Sequence, residues 1–154
     1  MVLKIRTEGD PVLRERAKPV QAIDERILNL ASDMLETMYK APGVGLAAPQ
    51  VGVGLRLVVA DAGDGPHTLI NPEIVEARGE EAGSEGCLSV PGVVGVVNRS
   101  TEVRVTALDR QGRRFSLAAS GLLARVLQHE IDHLDGILFI DRAIEIRPAD
   151  EEGD

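Results

Sequence analysis

Two segments of the chain carry apolar residues at helical spacing. From Asp24 to Lys40 the apolar positions form one stripe: Ile27, Leu28, Ala31, Met34, Leu35 and Met38. This stripe predicts an amphipathic helix that packs into the core, with Asp24 as its N-cap. A second stripe follows Ser120 and consists of Leu123, Val126, Leu127, Ile131 and Leu134. It predicts a second helix, which Ser120 caps at its start and Gly136 ends at the C′ position.

The chain between the two helices follows the two-residue period of β-strands. Residues 55–62 and 67–79 each predict a strand, the second interrupted at Asn71-Pro72. Residues 101–109 alternate inward Val and Ala with outward Glu, Arg and Thr. A turn with the sequence RQG follows, and residues 113–120 then predict the returning strand of a hairpin.

The order of these elements predicts an α+β fold. We expect antiparallel β-sheets packed around the C-terminal helix, with the amphipathic helix near the N-terminus. The Gly- and Pro-rich stretch 41–54 predicts an irregular, close-packed loop. A length of 154 residues suits one domain, which we place at residues 1–147. Residues 148–154 read PADEEGD, with four acidic residues, and we expect them to form an acidic, disordered tail.

Composition narrows the class of protein. The apolar fraction of 44% and the charged fraction of 27% are ordinary for a soluble globular chain. The net charge of -8 argues against a nucleic-acid binder, which normally shows a basic surface. No apolar run is long enough to span a membrane, and the N-terminus lacks the apolar stretch of a signal peptide. We therefore expect a cytoplasmic protein with no membrane partner and no direct nucleic-acid binding.

The second predicted helix contains the sequence QHEIDH, which has the spacing H-E-x-x-H. On a helix, His129 and His133 lie one turn apart on the same face. They could hold a divalent metal, with Glu130 beside it as a general base. Taken alone, the motif is also compatible with a solvated polar helix face. The two histidines continue the apolar face of Leu122 and Val126, however, which favours packed surroundings where a metal would satisfy them.

A catalytic metal centre usually has three protein ligands and an open position. Metzincins carry their third histidine where this chain has Phe139, and the downstream glutamates are Glu145, Glu151 and Glu152. The last two lie in the charged tail. Upstream, Cys87 lies in the stretch SEGCLSVPG, and thiolate is a strong ligand for zinc or ferrous iron. The alternative for a lone cysteine is a small buried hydrophobe.

Three stretches occur together: GVGLAAPQ at 43–50, EGCLS at 85–89 and QHEIDH at 128–133. In this order and with this separation they resemble peptide deformylases, and the likeness extends over nearly the whole chain. The compact length is similar to the short bacterial form. The resemblance implies hydrolysis of the N-terminal formyl group from nascent N-formylmethionyl polypeptides, which releases formate and a free amino group.

The resemblance also implies a metal site. The positions that match the family's ligands are Cys87, His129 and His133, which would hold one divalent ion per chain. The family suggests Fe²⁺ as the native ion. Zn²⁺, Ni²⁺ and Co²⁺ also suit such a ligand set.

The remaining roles follow from the same resemblance. Glu130 matches the family's acid/base. Gln50 and the backbone N–H of Leu88 match the groups that stabilise the oxyanion. Gly45 matches a residue whose backbone pairs with the substrate. An extended substrate can add as a strand to a sheet edge, which fits a loop beside a sheet.

The side-chain pocket for methionine should be apolar. Val44, Leu122 and Val126 are candidates by position, and ordinary core packing is an equal alternative for each. Glu85 and Arg99 could form an ion pair that steadies the cysteine loop, or could both be solvated.

Some family members carry a basic residue near Val94, where this chain is apolar. Recognition beyond the first substrate residues is therefore an open question. The short acidic tail would not favour docking on ribosomal RNA, although work close to the ribosome is compatible with the activity. Two other functions stay open, namely a metalloprotease of other specificity and an inactive, metal-stabilised binding module.

Overall fold

The computed structural model describes residues 1–149. Its helices and strands are α1 (Glu25–Lys40), β1 (Gly45–Ala47), β2 (Leu57–Ala60), β3 (His67–Arg78), β4 (Glu81–Cys87), β5 (Val90–Arg99), β6 (Glu102–Leu108), β7 (Arg114–Ser120), α2 (Gly121–Leu134), α3 (Phe139–Arg142) and β8 (Glu145–Pro148). Short 3₁₀ helices form at Pro11–Arg14 and Ala48–Val51.

The strands form two antiparallel sheets, which confirms the predicted α+β class. One sheet has five strands in the order β1-β2-β3-β6-β7, and the other has three in the order β4-β5-β8. Helix α2 packs on the five-stranded sheet through a cluster of buried residues that includes Leu69, Val105, Ala124 and Leu127. Its other contacts reach β4 and β5, because Arg125 bonds to Glu85 and Val97. The two sheets therefore meet at α2.

Helix α1 packs on β1 and β2, the first two strands of the five-stranded sheet. Its predicted stripe is buried at Ile27, Ala31, Met34 and Met38, where it packs against residues of β1 and β2. The Asp24 side chain accepts a hydrogen bond from the Ile27 backbone N–H over 3.1 Å, as predicted for the N-cap. A cap of this kind contributes about 1 kcal/mol to helix stability.

The expected break at Asn71-Pro72 is a bulge within a continuous strand. The pairing of β3 with β6 shifts register between Ile70 and Glu73, and Asn71 has a φ of 54°. The Asn71 side chain accepts from the Val20 backbone N–H at 2.8 Å and donates to the Val20 carbonyl at 2.9 Å. Asparagine tolerates this left-handed conformation, and its amide fixes the bulge to the N-terminal segment.

The expectation of an irregular loop over 41–54 was wrong. This stretch contains β1, in which Gly45 pairs with Ala60 of β2, and a 3₁₀ helix that ends at Val51 with Gly52 as its C-cap. All three residues of β1 are buried. The strand is too short for a period of two to be visible, and its flanking glycines and prolines are typical of loops.

Helix α2 begins after Ser120, but the Ser120 side chain makes no capping hydrogen bond, so that part of the prediction was wrong. Gly136 follows the helix with a φ of 76°, as a C′ glycine should. A Cβ at this glycine would lie 2.5 Å from the Arg14 carbonyl oxygen. No helix within residues 1–149 is long and apolar enough to cross a membrane.

Helix α2 is not the last element, because α3 and β8 follow it and complete the smaller sheet. Strand β8 includes Pro148, the first residue of the expected acidic tail. Residues 150–154 of that tail lie outside the described residues.

Candidate active site

The fold brings together three side chains that can bind a metal. Cys87 ends β4, whereas His129 and His133 lie one turn apart on α2. The Cys87 Sγ and His133 Nε2 atoms are 3.3 Å apart, and the ligand atoms of all three residues lie within 4.8 Å of one another. Metal–ligand bonds of about 2.0–2.3 Å are compatible with this spacing. One thiolate and two imidazoles therefore fit a single divalent ion.

The histidine donors and the neighbouring glutamate have little exposure to solvent. His129, Glu130 and His133 are all buried. Among the side chains of residues 1–149, Glu130 Oε1 and His133 Nδ1 are buried polar atoms without a hydrogen-bond partner. Orphaned polar groups of this kind are costly and concentrate at functional sites. Burial also lowers the pKa of His133 well below its usual value, which favours the neutral imidazole that a metal requires.

Glu85 holds His129 in place. Its Oε1 atom lies 2.9 Å from His129 Nδ1, which leaves His129 Nε2 for Cys87 and a metal. The same carboxylate accepts from Arg99 Nε at 2.9 Å and from Arg125 at 2.7 Å. Of the two alternatives left open for Glu85 and Arg99, the structure therefore has the ion pair, and it is buried. Such a carboxylate fixes the ring orientation of a metal-binding histidine.

Burial and neighbouring charges shift the pKa values of Glu85, Glu130 and His129 in different directions. Burial alone would raise the pKa of Glu85, but hydrogen bonds with His129 and Arg99 outweigh it and lower the pKa to about 2. Burial raises the pKa of Glu130 to about 7, against the opposing charge of His129. For His129, burial is outweighed by the Glu130 charge and by hydrogen bonds with Cys87 and Glu85, which raise its pKa to about 10. A proton and a metal therefore compete for His129.

Gln50 is held with its amide group toward the thiol. The side chain is buried, and its Oε1 accepts from the Ala47 backbone N–H at 2.9 Å. Its Nε2 donates to Ser89 Oγ at 3.1 Å and lies 3.6 Å from Cys87 Sγ. These contacts fix the amide as a donor beside the three candidate ligands, while Leu88 lines the same cleft.

Gly45 lies directly against the side chains of Glu130 and Val126. A Cβ at this position would lie 2.7 Å from Glu130 Oε2 and 2.7 Å from Val126 Cγ1. Any larger residue would displace one of these two side chains. The side chains of the site therefore leave room only for glycine at position 45 of β1.

One cleft of about 370 Å³ contains most of the residues singled out in the sequence. Its lining includes Val44, Gly45, Gln50, Cys87, Leu88, Leu122, Val126, His129 and Glu130. His133 is fully buried and reaches the group through its contact with Cys87. Val44 and Leu122 are exposed at the cleft, whereas Val126 is buried.

Two further residues belong to the site and were not singled out in the sequence. Ser89 accepts the Gln50 amide, and nothing in its sequence spacing indicated that contact. Arg125 lines the cleft and binds Glu85. Arg125 precedes His129 by four residues on the helix, so the helical period could have identified it.

Three candidate metal ligands, one fewer than a structural zinc site normally has, beside a carboxyl group that can exchange protons are the arrangement of metal-dependent hydrolases. The sequence model of the polypeptide deformylase family matches residues 2–149. The chain belongs to this family. Its members remove the N-terminal formyl group from nascent polypeptides by a metal-dependent mechanism.

Individual relatives agree with this assignment. The chain is 56% identical to a peptide deformylase of Symbiobacterium thermophilum, over 99% of this chain and 72% of the relative. It is also 56% identical to a peptide deformylase of Halothermothrix orenii, over 94% of this chain and 96% of the relative.

Solved structures of peptide deformylases are similar to this chain over most of its length. The peptide deformylase of Thermotoga maritima superimposes with a TM-score of 0.91 at 47% identity, over 93% of this chain and 98% of that one. The peptide deformylase of Synechococcus elongatus in complex with actinonin gives a TM-score of 0.89 at 49% identity, over 92% and 78% of the two chains.

Proposed function

We propose that this chain hydrolyses the formyl group from the N-terminus of newly made polypeptides, with one divalent ion held by Cys87, His129 and His133. The observation that carries the proposal is the convergence of these three donors beside the buried Glu130 in one cleft. Hydrolysis adds water across the formyl C–N bond. The products are formate and a peptide with a free α-amino group.

The donor chemistry supports a transition-metal ion. Thiolate and imidazole suit Fe²⁺, Zn²⁺, Co²⁺ and Ni²⁺, and we infer from the family that Fe²⁺ is the native ion. When bound, such an ion supplies Lewis acidity that activates water near neutral pH.

Glu130 is the proposed acid/base. Its carboxyl group lines the cleft, and burial raises its pKa to about 7, where a carboxyl group can both accept and release a proton. Glu130 takes the proton of the attacking water and delivers a proton to the nitrogen that leaves. The Oε1 atom without a partner among residues 1–149 is free to meet water or substrate.

Gln50 and Leu88 are the proposed oxyanion donors. The Gln50 amide is oriented by Ala47 and Ser89, so its Nε2 needs little reorganisation when charge develops on the formyl oxygen. The backbone N–H of Leu88 follows Cys87 directly in the chain and provides the second donor. Each such donor contributes about 3 kcal/mol to transition-state stabilisation in other hydrolases.

Gly45 and the apolar wall bind the substrate. Strand β1 lies at the edge of the five-stranded sheet, so an extended peptide can pair with the Gly45 backbone. Val44, Leu122 and Val126 line the cleft and offer an apolar surface to the methionine side chain. Residues 1–147 act together as one catalytic domain, and we place its work in the cytoplasm on chains that leave the ribosome.

The test uses metal-loaded protein prepared without oxygen, with metal content and activity measured on the same sample. Turnover of a formyl-Met peptide, with formate released, is the expected result. Cleavage of internal bonds in unformylated peptides would instead indicate a metalloprotease. Tight binding of formylated peptides without turnover, whatever metal is loaded, would indicate a binding module.

A further inference from the structure

Arg125 places a cation in a cleft that is otherwise mostly apolar. It lies one turn before His129 on α2, and its side chain is only 15% exposed. The apolar side chains that line the same cleft include Val44, Leu88, Leu122 and Val126. A pocket meant only for an aliphatic side chain does not need an arginine in its wall.

The Arg125 guanidinium is held in one position by β4 and β5. It donates to Glu85 Oε2 at 2.7 Å, to the Val97 carbonyl at 2.9 Å and to the Glu81 carbonyl at 2.8 Å. Gly83 leaves room for it, because a Cβ there would lie 2.9 Å from Arg125 Cζ. The guanidinium is therefore a preorganised donor, since little side-chain entropy remains to be lost.

Not all of its donors are used by the protein. An arginine carries about five N–H groups. Within residues 1–149 the Arg125 guanidinium donates the three hydrogen bonds described above. These bonds leave the Nε N–H and one Nη2 N–H of Arg125 for a ligand in the cleft that Arg125 lines.

The charge of this donor is balanced locally. Glu85 pairs with both Arg125 and Arg99, and Arg99 pairs in addition with Asp132 at 2.6 Å. Arg142 also pairs with Asp132, so Glu85 is the carboxylate that offsets the Arg125 charge, and it lines the cleft beside Arg125. Such a surface favours a neutral group with a strong acceptor oxygen over a carboxylate, which would have to lie close to Glu85.

We propose that Arg125 extends the substrate range of this chain to polypeptides that begin with formyl-methionine sulfoxide. The inference rests on the proposed deformylase function, because it assigns the first side chain of the substrate to this pocket. The methylene groups of the oxidised side chain pack on the apolar wall, and its sulfoxide oxygen accepts from Arg125. Methionine sulfoxide is the polar product of methionine oxidation, and a wholly apolar pocket would reject it.

The reaction itself is unchanged by the oxidised side chain. Water adds to the formyl carbon, the C–N bond breaks, and the nitrogen takes up a proton. Formate and a peptide with N-terminal methionine sulfoxide leave the cleft. No oxidant or reductant takes part, because the sulfoxide is a spectator of the hydrolysis.

The experiment compares kcat/KM of metal-loaded protein on three peptides that differ only in the first residue: formyl-Met, formyl-norleucine and formyl-methionine sulfoxide. For the wild type we expect the sulfoxide within about tenfold of norleucine. In Arg125→Met the ratio of sulfoxide to norleucine should fall about tenfold or more, mainly through KM, which corresponds to one lost hydrogen bond to a charged donor. Arg110→Met, at a half-buried arginine outside the cleft that is bonded to Ser32, is the matched control and should keep the wild-type ratio.

The ratio of kcat/KM on the sulfoxide peptide to kcat/KM on the norleucine peptide separates a change in specificity from a general loss of activity. A defect in folding or metal binding lowers both values alike. Gly83→Ala is a second variant that displaces the guanidinium but keeps the arginine, and it should shift the ratio in the same direction. An equal fall on all three peptides would overturn the inference and leave Arg125 as a support for Glu85. Wild-type turnover of formyl-Met with rejection of the sulfoxide would overturn it too, whereas no turnover of any formyl peptide would overturn the proposed function.

Discussion

The Nδ1 atom of His129 and the Oε1 atom of Glu85 lie 2.9 Å apart, and both side chains are buried. Because this contact orients a candidate metal ligand, Glu85→Gln should weaken metal binding about 10- to 100-fold. Competition with a chelator of known affinity measures the change. Glu81→Gln, at an exposed position on the same strand, should bind metal like the wild type. Unchanged affinity in Glu85→Gln would show that the ring needs no support from this carboxylate.

The same carboxylate should make stability depend on pH in the acid range. The folded-state pKa of Glu85 is about 2, below its ordinary value of 4.5. Its contribution to the free energy of unfolding, about 3 kcal/mol at most, is therefore fully present above pH 4.5 and is lost as pH falls toward 2. Urea unfolding of metal-free protein between pH 6 and pH 2.5 should show this fall. Glu85→Gln should give a flatter curve, and equal slopes for both proteins would contradict the assignment.

Cys87→Ala should leave two protein ligands and strongly reduce the bound metal. The reason is that the thiolate is the only anionic donor in the three-residue group. Metal content per chain after dialysis is the measurement. His67→Ala removes a half-buried histidine outside the cleft, which pairs with Asp64, and serves as the control. One tightly bound ion and full activity in Cys87→Ala would remove Cys87 from the ligand set.

Gln50→Ala should keep metal and fold but lose about 10²-fold or more in kcat on formyl-Met peptides. The amide is positioned by Ala47 and Ser89, so its loss removes a preorganised donor. Single-turnover rates measure the effect on the chemical step. Gln111→Ala, in the turn between β6 and β7, is a control that should react normally. A near-normal rate for Gln50→Ala would make Gln50 a structural residue of the 3₁₀ helix.

Glu130→Gln keeps the size of the side chain and removes the proton carrier. Deformylation should fall by at least about 10²-fold, while metal content and binding of a formyl-Met peptide persist. Isothermal titration and formate release, measured on one preparation, separate binding from turnover. Glu25→Gln, at the exposed start of α1, should match the wild type. A fully active Glu130→Gln enzyme would rule out this mechanism even for a working deformylase.

The elements that the sequence predicted well are those with a clear period. The stripes of α1 and α2 and the alternation of β6 bury most of the positions that the pattern selected, such as Met34, Leu127 and Val105, whereas Leu28, Leu35 and Leu123 are half-buried. Strands β4 and β5 carry Gly83, Gly86, Gly92 and Gly95, and their burial follows no simple alternation. Their pairing depends on contacts with α2 and β8, which a local pattern does not contain.

The candidate site was predictable where one motif or a short helical spacing defines it. His129 and His133 share a helix face, so their proximity follows from the sequence alone. The approach of Cys87 to that helix depends on the β4–β5 hairpin, so thiolate chemistry made Cys87 a candidate ligand and the family resemblance supported it, but no local pattern predicted the contact. The contacts of Ser89 with Gln50 and of Arg125 with Glu85 join segments far apart in the chain. No spacing rule predicts such pairs.

Cys87 belongs to the three-stranded sheet, whereas His129 and His133 belong to the helix that packs on the five-stranded sheet. A bound ion would therefore act as a reversible cross-link between two halves of the molecule. Ligand binding to the native state alone raises the free energy of unfolding, so the metal supply would also set how cooperatively the halves unfold. Without the ion, the contacts of Glu85 with Arg125 and of Arg99 with Asp132 would still join the halves, but the β4–β5 hairpin, with Cys87 at its turn, would lose one attachment to α2.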